Sequence, residues 1–379
     1  MKFRVDRDVL ADAVAWAART LPVKPSMPVL AGLLIEASDD GLVLSSFDYE
    51  TSARANLAAE VSDEGKALVS GRLLSDICRS LPNKPVDIAL DGARVALTCG
   101  SSRFSLQTLP VEDYPTIPDM PSASGTVASD VFAHAVAQAV TAAGRDEMLP
   151  VLTGVRVEIE GDSISLLATD RFRLSHRELG WSPGTPDASL AALVPAKVLA
   201  DTAKALTAGA EITIALAGGG TGDGLIGFEG TGPGGTRRTT TRLLDGEFPK
   251  VRGLFPSERL TVAKIDKAAL IESVKRVALV AERNAAVQLA FKDGALTLDA
   301  GSGDQAQASE AVPAEIDGDD LVTGFSPQYL LDGLTAIDES VVELAFTQSS
   351  KPVVISGTGD GAEEGDAFRY LLMPRRLLS

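Results

Sequence analysis

Few residues in this sequence have the types and spacing that a catalytic site requires. His134 and His176 are the two histidines, and His134 lies on a predicted helix whose counterpart has an aspartate, which is typical of a surface residue rather than a base or ligand. Asp170, in ATDRFRL, is a lone carboxylate that favours a turn. HExxH, GxSxG and Walker sequences do not occur. The sequence therefore predicts no catalytic site.

The glycine-rich segments and the cysteines also have structural interpretations. Segments 217–224 and 229–236 lack the Lys and Ser/Thr of a phosphate-binding loop and open no predicted helix, so we expect hairpin loops. Cys78 and Cys99 have no metal-binding spacing, which predicts two core residues in a reducing compartment. We therefore expect no metal ion and no cofactor.

The charge of the chain is strongly negative but uneven. A formal net charge of −17 argues against nucleic acid as a partner, because phosphate binding relies on Lys and Arg. Segment 72–84 nevertheless has three basic residues against one acidic, and 264–283 has five against three, whereas 326–340 has none. For any one of these helices, the basic residues can be explained as a solvated surface face. If the helices repeat, the pattern predicts an uneven basic stripe.

The elements that must position these residues do repeat. Residues 29–57 align with 151–179 without a gap at an offset of 122, with eight of 29 positions identical. The same offset places 8–17 on 130–139, where seven of ten match. A shared offset does not follow from composition, so the chain contains at least two copies of one unit.

A third, fainter copy follows. Residues 287–298 match 155–166 by apolar pattern, and proline and serine interrupt the pattern at 119–125 and 254–260, which indicates linkers. The repeats predict three domains of about 120 residues each. Their predicted boundaries are 1–122, 123–256 and 257–379.

Each unit is predicted to be α+β, with helices on one face of a sheet. The first helix is expected to begin at Asp6 or Asp8, to bury Val9 among other apolar residues, and to stop before Pro22. A second helix follows later in each unit. Hairpin turns are predicted at Asp40-Gly41, Asp91-Gly92 and Asp293-Gly294.

The chain has no predicted membrane segment. Its start, MKFRVDRDVL, is charged throughout. No apolar run reaches the roughly 18 residues that a membrane span needs. We expect a cytoplasmic protein.

The final ten residues, YLLMPRRLLS, are unusually apolar for the end of such an acidic chain. The simplest interpretation is an edge strand that frays into a tail, because chain ends are usually loosely held. The other interpretation is that the leucines and Met373 form part of a binding surface.

The motifs, taken in order, resemble one family. VLTGV, ATDRFRL, DICR, SRFSLQTLP followed by DYP, DGEFP and a terminal YLLMPRRL together resemble the bacterial DNA polymerase III beta subunit, the replicative sliding clamp family. The resemblance covers essentially the whole chain. It implies a non-catalytic subunit of a polymerase holoenzyme. It further implies a ring-shaped head-to-tail homodimer with helices lining the inner face and β-sheets outside.

The resemblance also implies partners. It implies that the ring encircles double-stranded DNA without sequence preference. It also implies a hydrophobic pocket that captures short linear peptides from the replicative polymerase alpha subunit, the clamp loader, other polymerases and repair proteins. Two other hypotheses remain: a monomeric α+β enzyme, and a repeat-built interaction scaffold that does not encircle DNA. The missing catalytic residues disfavour the enzyme.

Site residues carried over from the family fall into three groups. The DNA-binding positions are Lys24, Arg72, Arg79, Arg145, Lys197, Lys204, Lys275 and Arg276. The dimer positions are Ile77, Phe104 and Leu106, facing Leu279 and Val280 of the other copy, although all five could be ordinary core residues. The pocket positions are Leu152, Thr169, Arg171, Phe172, Arg173, Leu174, Pro249, Leu254, Ser350, Pro352, Leu371, Leu372, Met373, Pro374 and Arg376.

Several positions depart from the family pattern. Met148, Leu149 and Pro150 stand where some members have aromatic residues. Arg171, Phe172 and Gly253 replace a smaller residue, a histidine and an arginine that occur elsewhere. We expect the loss of aromatic residues at 148–150 to remove a stacking contact with DNA, and the changes at Arg171, Phe172 and Gly253 to alter pocket shape and peptide preference.

With the resemblance, the tail has a clearer interpretation. Tyr370 to Leu372 are expected to complete the last strand of the third domain, and Met373-Pro374 to end it, because proline cannot continue a central ladder. The tail then forms one wall of a pocket shared with the second domain. Leu378 and Ser379 are assigned no role.

Overall fold

A computed structural model describes residues 1–216, 224–282, 285–301, 306–358 and 368–376. The chain divides into two compact units. Unit 1 comprises Met1–Ala133, Trp181–Leu190 and Asp201–Leu243. Unit 2 comprises His134–Gly180, Ala191–Ala200 and Leu244–Ser379.

Within the described residues, each of the three repeats contributes two α-helices and nine strands. The helices are α1 (Arg7–Ala17), α2 (Gly71–Ser80), α3 (Ser129–Ala139), α4 (Ala196–Ala205), α5 (Lys267–Val277) and α6 (Pro327–Ala336). The strands of the first repeat are β1 (Lys2–Val5), β2 (Gly32–Ser38), β3 (Gly41–Phe47), β4 (Thr51–Leu57), β5 (Glu60–Asp63), β6 (Gly65–Ser70), β7 (Val86–Asp91), β8 (Arg94–Cys99) and β9 (Ser102–Leu109). Those of the second are β10 (Gly125–Ala128), β11 (Gly154–Glu160), β12 (Ser163–Thr169), β13 (Arg173–Gly180), β14 (Ser182–Pro183), β15 (Ser189–Pro195), β16 (Glu211–Leu216), β17 (Leu225–Gly232) and β18 (Gly235–Arg242). Those of the third are β19 (Thr261–Asp266), β20 (Val287–Lys292), β21 (Ala295–Ala300), β22 (Ala308–Pro313), β23 (Glu315–Asp317), β24 (Leu321–Phe325), β25 (Val341–Phe346), β26 (Val353–Thr358) and β27 (Phe368–Leu372).

The strand registers confirm the offset of 122. Leu34 in β2 pairs with Ser45 in β3, and the residues 122 positions later, Arg156 and Leu167, pair in the same way. Because a one-residue slip would move every side chain to the opposite face, identical registers keep the same side chains buried in both copies.

The faint third copy is confirmed in the same way. Gln288 pairs with Asp299, and these residues lie 132 positions after Arg156 and Leu167, which is the offset between 155–166 and 287–298. The strand order also repeats: β4-β3-β2-β6, β13-β12-β11-β15 and β22-β21-β20-β24.

Consecutive repeats are joined by strand pairing. In unit 1, β18 of the second repeat pairs antiparallel with β4 of the first, within a 14-stranded sheet. In unit 2, β27 of the third repeat pairs antiparallel with β13 of the second, within a nine-stranded sheet. The central repeat therefore contributes strands to both units, which is why three repeats give two compact units.

The start of the first helix agrees with the predicted cap. The Asp6 carboxylate accepts hydrogen bonds from the backbone N–H groups of Asp8 (2.9 Å) and Val9 (3.2 Å), so Asp6 is the N-cap. Val9 is half-buried rather than buried, and Trp16, which was not predicted, is buried.

Within the basic segment 264–283, residues 264–266 end strand β19, the Asp266 side chain caps α5, and α5 spans Lys267–Val277. One local prediction needs correction. All three predicted hairpins form, but the first two turn at 39–40 and 92–93. Only Asp293-Gly294 turns where predicted, with φ of 52° and 76°.

The glycine-rich and cysteine-containing segments fit their structural interpretation where they are described. Residues 229–236 form the end of the β17–β18 hairpin, whereas 217–224 lie, apart from Gly224, outside the described residues. Cys78 and Cys99 are buried, and burial raises the pKa of the Cys78 thiol to about 12. Across the described residues, no helix is long and apolar enough to cross a membrane.

Candidate functional site

The apolar C-terminal strand lies inside a sheet rather than at its edge. In β27, Leu371 pairs with Leu174 of β13 on one side and with Val354 of β26 on the other. The interpretation of the tail as a fraying edge strand is therefore wrong. The predicted end of the strand before Met373-Pro374 is confirmed.

A cluster of apolar side chains packs where β13 and β27 meet. Leu174 and Leu371, both predicted for the pocket, are buried in it. The other buried members are Leu167, Leu193, Phe248 and Val251, and half-buried Val151, Leu244, Phe255 and Val354 pack against them. The segment around Pro249 therefore covers the same sheet face that the tail strand completes.

Asp170 shapes the loop that borders this cluster. One of its carboxylate oxygens accepts hydrogen bonds from the N–H groups of Phe172 (3.0 Å) and Arg173 (3.1 Å), which confirms the predicted turn. Arg171, which lies between Asp170 and Phe172, has a left-handed φ of 79°. The first repeat has the same turn: the Asp48 carboxylate accepts hydrogen bonds from the N–H groups of Glu50 (3.0 Å) and Thr51 (2.7 Å), and Tyr49 has φ of 77°.

Arg173 ties this loop to the third repeat. Its guanidinium donates to Asp170 (3.0 Å), Asp332 (2.6 Å) and the Tyr370 hydroxyl (3.4 Å), and lies 4.3 Å from the ring centroid of Tyr329. The Tyr370 hydroxyl donates to the Tyr329 carbonyl (2.8 Å). Burial, partly opposed by Arg173, raises the pKa of Tyr370, which therefore stays a neutral donor.

Exposed apolar groups, here called the rim, lie at the end of the β13–β27 ladder. Phe172 is 48% exposed and its ring stacks on Tyr329, with centroids 6.3 Å apart, and Met373 is 40% exposed. The Met373 N–H donates to the Phe172 carbonyl (2.9 Å), and the Arg375 N–H donates to the Gly324 carbonyl (2.8 Å). The tail is therefore held on both sides while its apolar side chain stays open to solvent.

The predicted pocket residues sort by burial. The buried ones are Leu152, Thr169, Arg173, Leu174, Leu371 and Leu372. Leu372 packs in a different core cluster, with Tyr370 and Leu330, rather than with Leu174 and Leu371. The exposed or half-buried ones are Arg171, Phe172, Pro249, Leu254, Ser350, Pro352, Met373, Pro374 and Arg376. Tyr329 and Asp332 were not predicted, because nothing in the α6 sequence links them to Arg173.

The corresponding position in unit 1 has different chemistry. Tyr114 takes part in a similar cluster with Val29 and Leu68, and its hydroxyl accepts a hydrogen bond from the Phe47 N–H (2.8 Å). Where unit 2 pairs Leu174 with Leu371, unit 1 pairs Ser52 with Thr240. An apolar anchor is therefore better matched to the site in unit 2.

Neither histidine is placed for catalysis. His134 is exposed and lies 2.6 Å from Asp338. His176 is buried in β13 with Nδ1 2.8 Å from an Arg369 guanidinium nitrogen, and burial followed by the charges of Arg369 and Arg252 lowers its pKa to about 4. It is therefore neutral at ordinary pH. No acidic, His or Cys cluster suited to a metal occurs in the part of the chain that the structure describes.

All eight predicted DNA-binding residues are exposed. Arg72 donates to the Pro22 carbonyl (3.0 Å), and Lys275 pairs with Glu272 (2.9 Å). Arg276 binds Glu310, and this hydrogen bond, with one from Ser273, lowers the pKa of Glu310 to about 2. Lys24, Arg145, Lys197 and Lys204 have no ion-pair partner among the described residues, which leaves them available to phosphates.

The predicted dimer residues differ in exposure. Leu279 is 84% exposed, and Phe104 and Val280 are half-buried. Ile77 and Leu106 are buried within the single chain, where their side chains act as core. The interface prediction therefore depends on Phe104, Leu279 and Val280.

Comparisons with known proteins cover the whole chain. Models of the N-terminal, central and C-terminal domains of the DNA polymerase III beta subunit match residues 1–118, 126–250 and 252–376. A beta sliding clamp of Streptomyces coelicolor is 60% identical over 378 residues, covering 100% of both chains.

Solved structures agree. A crystal structure of the DNA polymerase sliding clamp from Bacillus subtilis has a TM-score of 0.90 at 25% identity, covering 100% of both chains. That of a sliding clamp from Pseudomonas aeruginosa, bound to griselimycin, has a TM-score of 0.89 at 27% identity, also covering 100% of both chains.

Proposed function

This chain belongs to the DNA polymerase III beta subunit family, and we propose from this premise that two copies close head to tail into a ring around duplex DNA. It functions as a sliding clamp, a non-catalytic processivity subunit.

Two strands with a free edge, one in the first repeat and one in the third, support the proposed ring. β4 and β13 each take a partner strand from the following repeat. Their third-repeat counterpart, β22, pairs with β21 alone among the described strands. Within the part of the chain that the structure describes, β9, the first-repeat counterpart of β18 and β27, pairs with β6 only at Thr108 and Leu109, so its stretch 102–107 has a free edge.

A second copy supplies the missing strand. β22 of one copy pairs with β9 of the other, and the same joint forms again at the opposite side, which gives a closed two-fold assembly. Phe104 on β9 and Leu279 and Val280 after α5 then meet between copies. The repeats keep the proposed domain boundaries 1–122, 123–256 and 257–379, supported by family matches over similar ranges.

In this ring the helices face the DNA. The exposed cations Lys24, Arg145, Lys197 and Lys204, with Arg72 and Arg79, contact phosphates without reading sequence. The remaining acidic surface keeps these contacts weak overall. Retention then depends on topology, so the ring slides while it stays closed.

The cluster between β13 and β27 is the proposed peptide pocket. Its leucines accept apolar anchors, and the exposed side chains of Phe172 and Met373, at the adjoining end of the β13–β27 ladder, add apolar surface. The partners are the replicative polymerase alpha subunit, the clamp loader, other polymerases and repair proteins, all in the cytoplasm. Tethering raises the effective concentration of a polymerase at the primer end. A scaffold that does not encircle DNA is not favoured, because it leaves β9 and β22 without partners.

Leu279→Asp is expected to convert the dimer to monomer. The side chain is open to solvent in the single chain, so folding is unaffected, whereas an unpaired carboxylate in the closed interface raises the dimer Kd by about 100-fold or more. Sedimentation velocity measures the mass of the assembly. Met148→Asp, at a position 85% exposed, is the matched control and should stay dimeric. An unchanged mass for Leu279→Asp would refute the interface assignment.

A further inference from the structure

Three cations lie beyond the same end of the strands that form the proposed peptide pocket. Leu372 of β27 pairs with Arg173 of β13 and with Val353 of β26. Arg171 lies two residues before Arg173, and Lys351 lies two residues before Val353. Arg376 lies four residues after Leu372, in the tail. All three cations are exposed.

The charge at this end is locally positive although the chain is acidic. In the segments 170–172, 347–352 and 373–376 the acidic residue is Asp170, and its carboxylate is held by Arg173. Asp332 is held by the same guanidinium. Arg171, Lys351 and Arg376 have no ion-pair partner within the described residues. In a chain of net charge −17, this excess is a local feature rather than a general one.

The cations border apolar surface rather than a polar groove. The Arg171 guanidinium carbon lies 5.8 Å from the ring centroid of Phe172, and exposed Met373 follows directly on the strand. If the ligand were a nucleic-acid phosphate backbone, these apolar groups would have no apolar partner. A peptide with apolar anchors and acidic neighbours matches both features.

We propose that the pocket selects linear peptides whose apolar anchors are flanked by Asp or Glu, paired with Arg171, Lys351 and Arg376. This inference rests on the proposed peptide-binding function. The anchors supply most of the affinity. The flanking charges discriminate among partners and speed association.

A random-peptide display selection on the full-length protein provides the test. The wild type should enrich apolar anchors with a surplus of acidic flanking residues. The triple variant Arg171→Gln/Lys351→Gln/Arg376→Gln should enrich the same anchors without that surplus. Lys264→Gln, an exposed cation on β19, is the control and should behave as the wild type.

Affinities of a selected peptide then give the size of the effect. Replacing its Asp and Glu by Asn and Gln should raise Kd for the wild type by about 3- to 10-fold, less at high salt, because exposed ion pairs are each modest. The triple variant should show no such difference.

Three outcomes would overturn the inference. Equal enrichment of acidic residues by the wild type and the triple variant would show that these cations do not select acidic peptides. Loss of binding to a mixed-sequence duplex oligonucleotide, with peptide selection unchanged, would assign the cations to DNA. Failure to select any anchored peptide would contradict the proposed peptide-binding function itself.

Discussion

Arg173→Ala is expected to lower the opening free energy of β13 and β27 by about 3–4 kcal/mol, because it removes a buried guanidinium and leaves two half-buried carboxylates unpaired. The guanidinium joins Asp170, Asp332 and Tyr370 and covers the face of Tyr329. Hydrogen exchange of the amides in β13 and β27 measures this free energy strand by strand. Exchange there should accelerate by about 100- to 1000-fold.

The structure provides two controls for this prediction. Arg171→Ala removes an exposed cation from the same loop and should change exchange little. Trp16 and Trp181 lie in unit 1, so their fluorescence should report an unchanged unfolding transition for that unit. Acceleration below about 5-fold in β13 and β27 would mean that Arg173 is not the tie between the two repeats.

Truncation after Leu372 is expected to abolish peptide capture while the dimer persists. It removes the exposed Met373 side chain and the backbone hydrogen bonds from Met373 to Phe172 and from Arg375 to Gly324. Strand β27 keeps its ladders to β13 and β26. The proposed dimer strands are unchanged by the deletion.

Fluorescence anisotropy with a labelled, display-selected peptide measures capture, and sedimentation measures assembly. Truncation after Arg376 removes 377–379 alone and is the matched control, expected to bind as the wild type does. Wild-type affinity after truncation at Leu372 would show that the end of the chain takes no part in the pocket.

The repeat architecture could be predicted because it depends on local signals. Asp48 and Asp170 mark the same turn, and both copies carry a left-handed residue directly after it. Turn and register are set by neighbours a few residues apart, so an alignment at one offset captures them. The third copy gives a fainter signal because it matches the second by apolar pattern rather than by identical residues.

The Arg173 network could not be predicted, because its partners are distant in sequence. Asp332 and Tyr370 lie 159 and 197 positions away. Ile77 and Leu106 show a second limit: an apolar residue at a strand or helix position has the same sequence signature whether it fills a core or an interface. Only packing distinguishes them.

The segment 264–283 shows a third limit. Its composition favours helix throughout, but Lys264 and Ile265 pair with β25, so tertiary pairing outweighs local propensity there. Asp266 then caps α5. The α-helix therefore covers Lys267–Val277 rather than the whole basic segment.

Encirclement of DNA is tested most directly by cutting the DNA. The protein is loaded by a clamp loader onto nicked circular duplex, freed of unbound protein, and measured before and after a restriction enzyme linearises the circle. A closed ring should be retained stably on the circle and released after cutting, and Leu279→Asp should not be retained at all. Equal retention before and after linearisation would contradict a topological link and, with it, the ring.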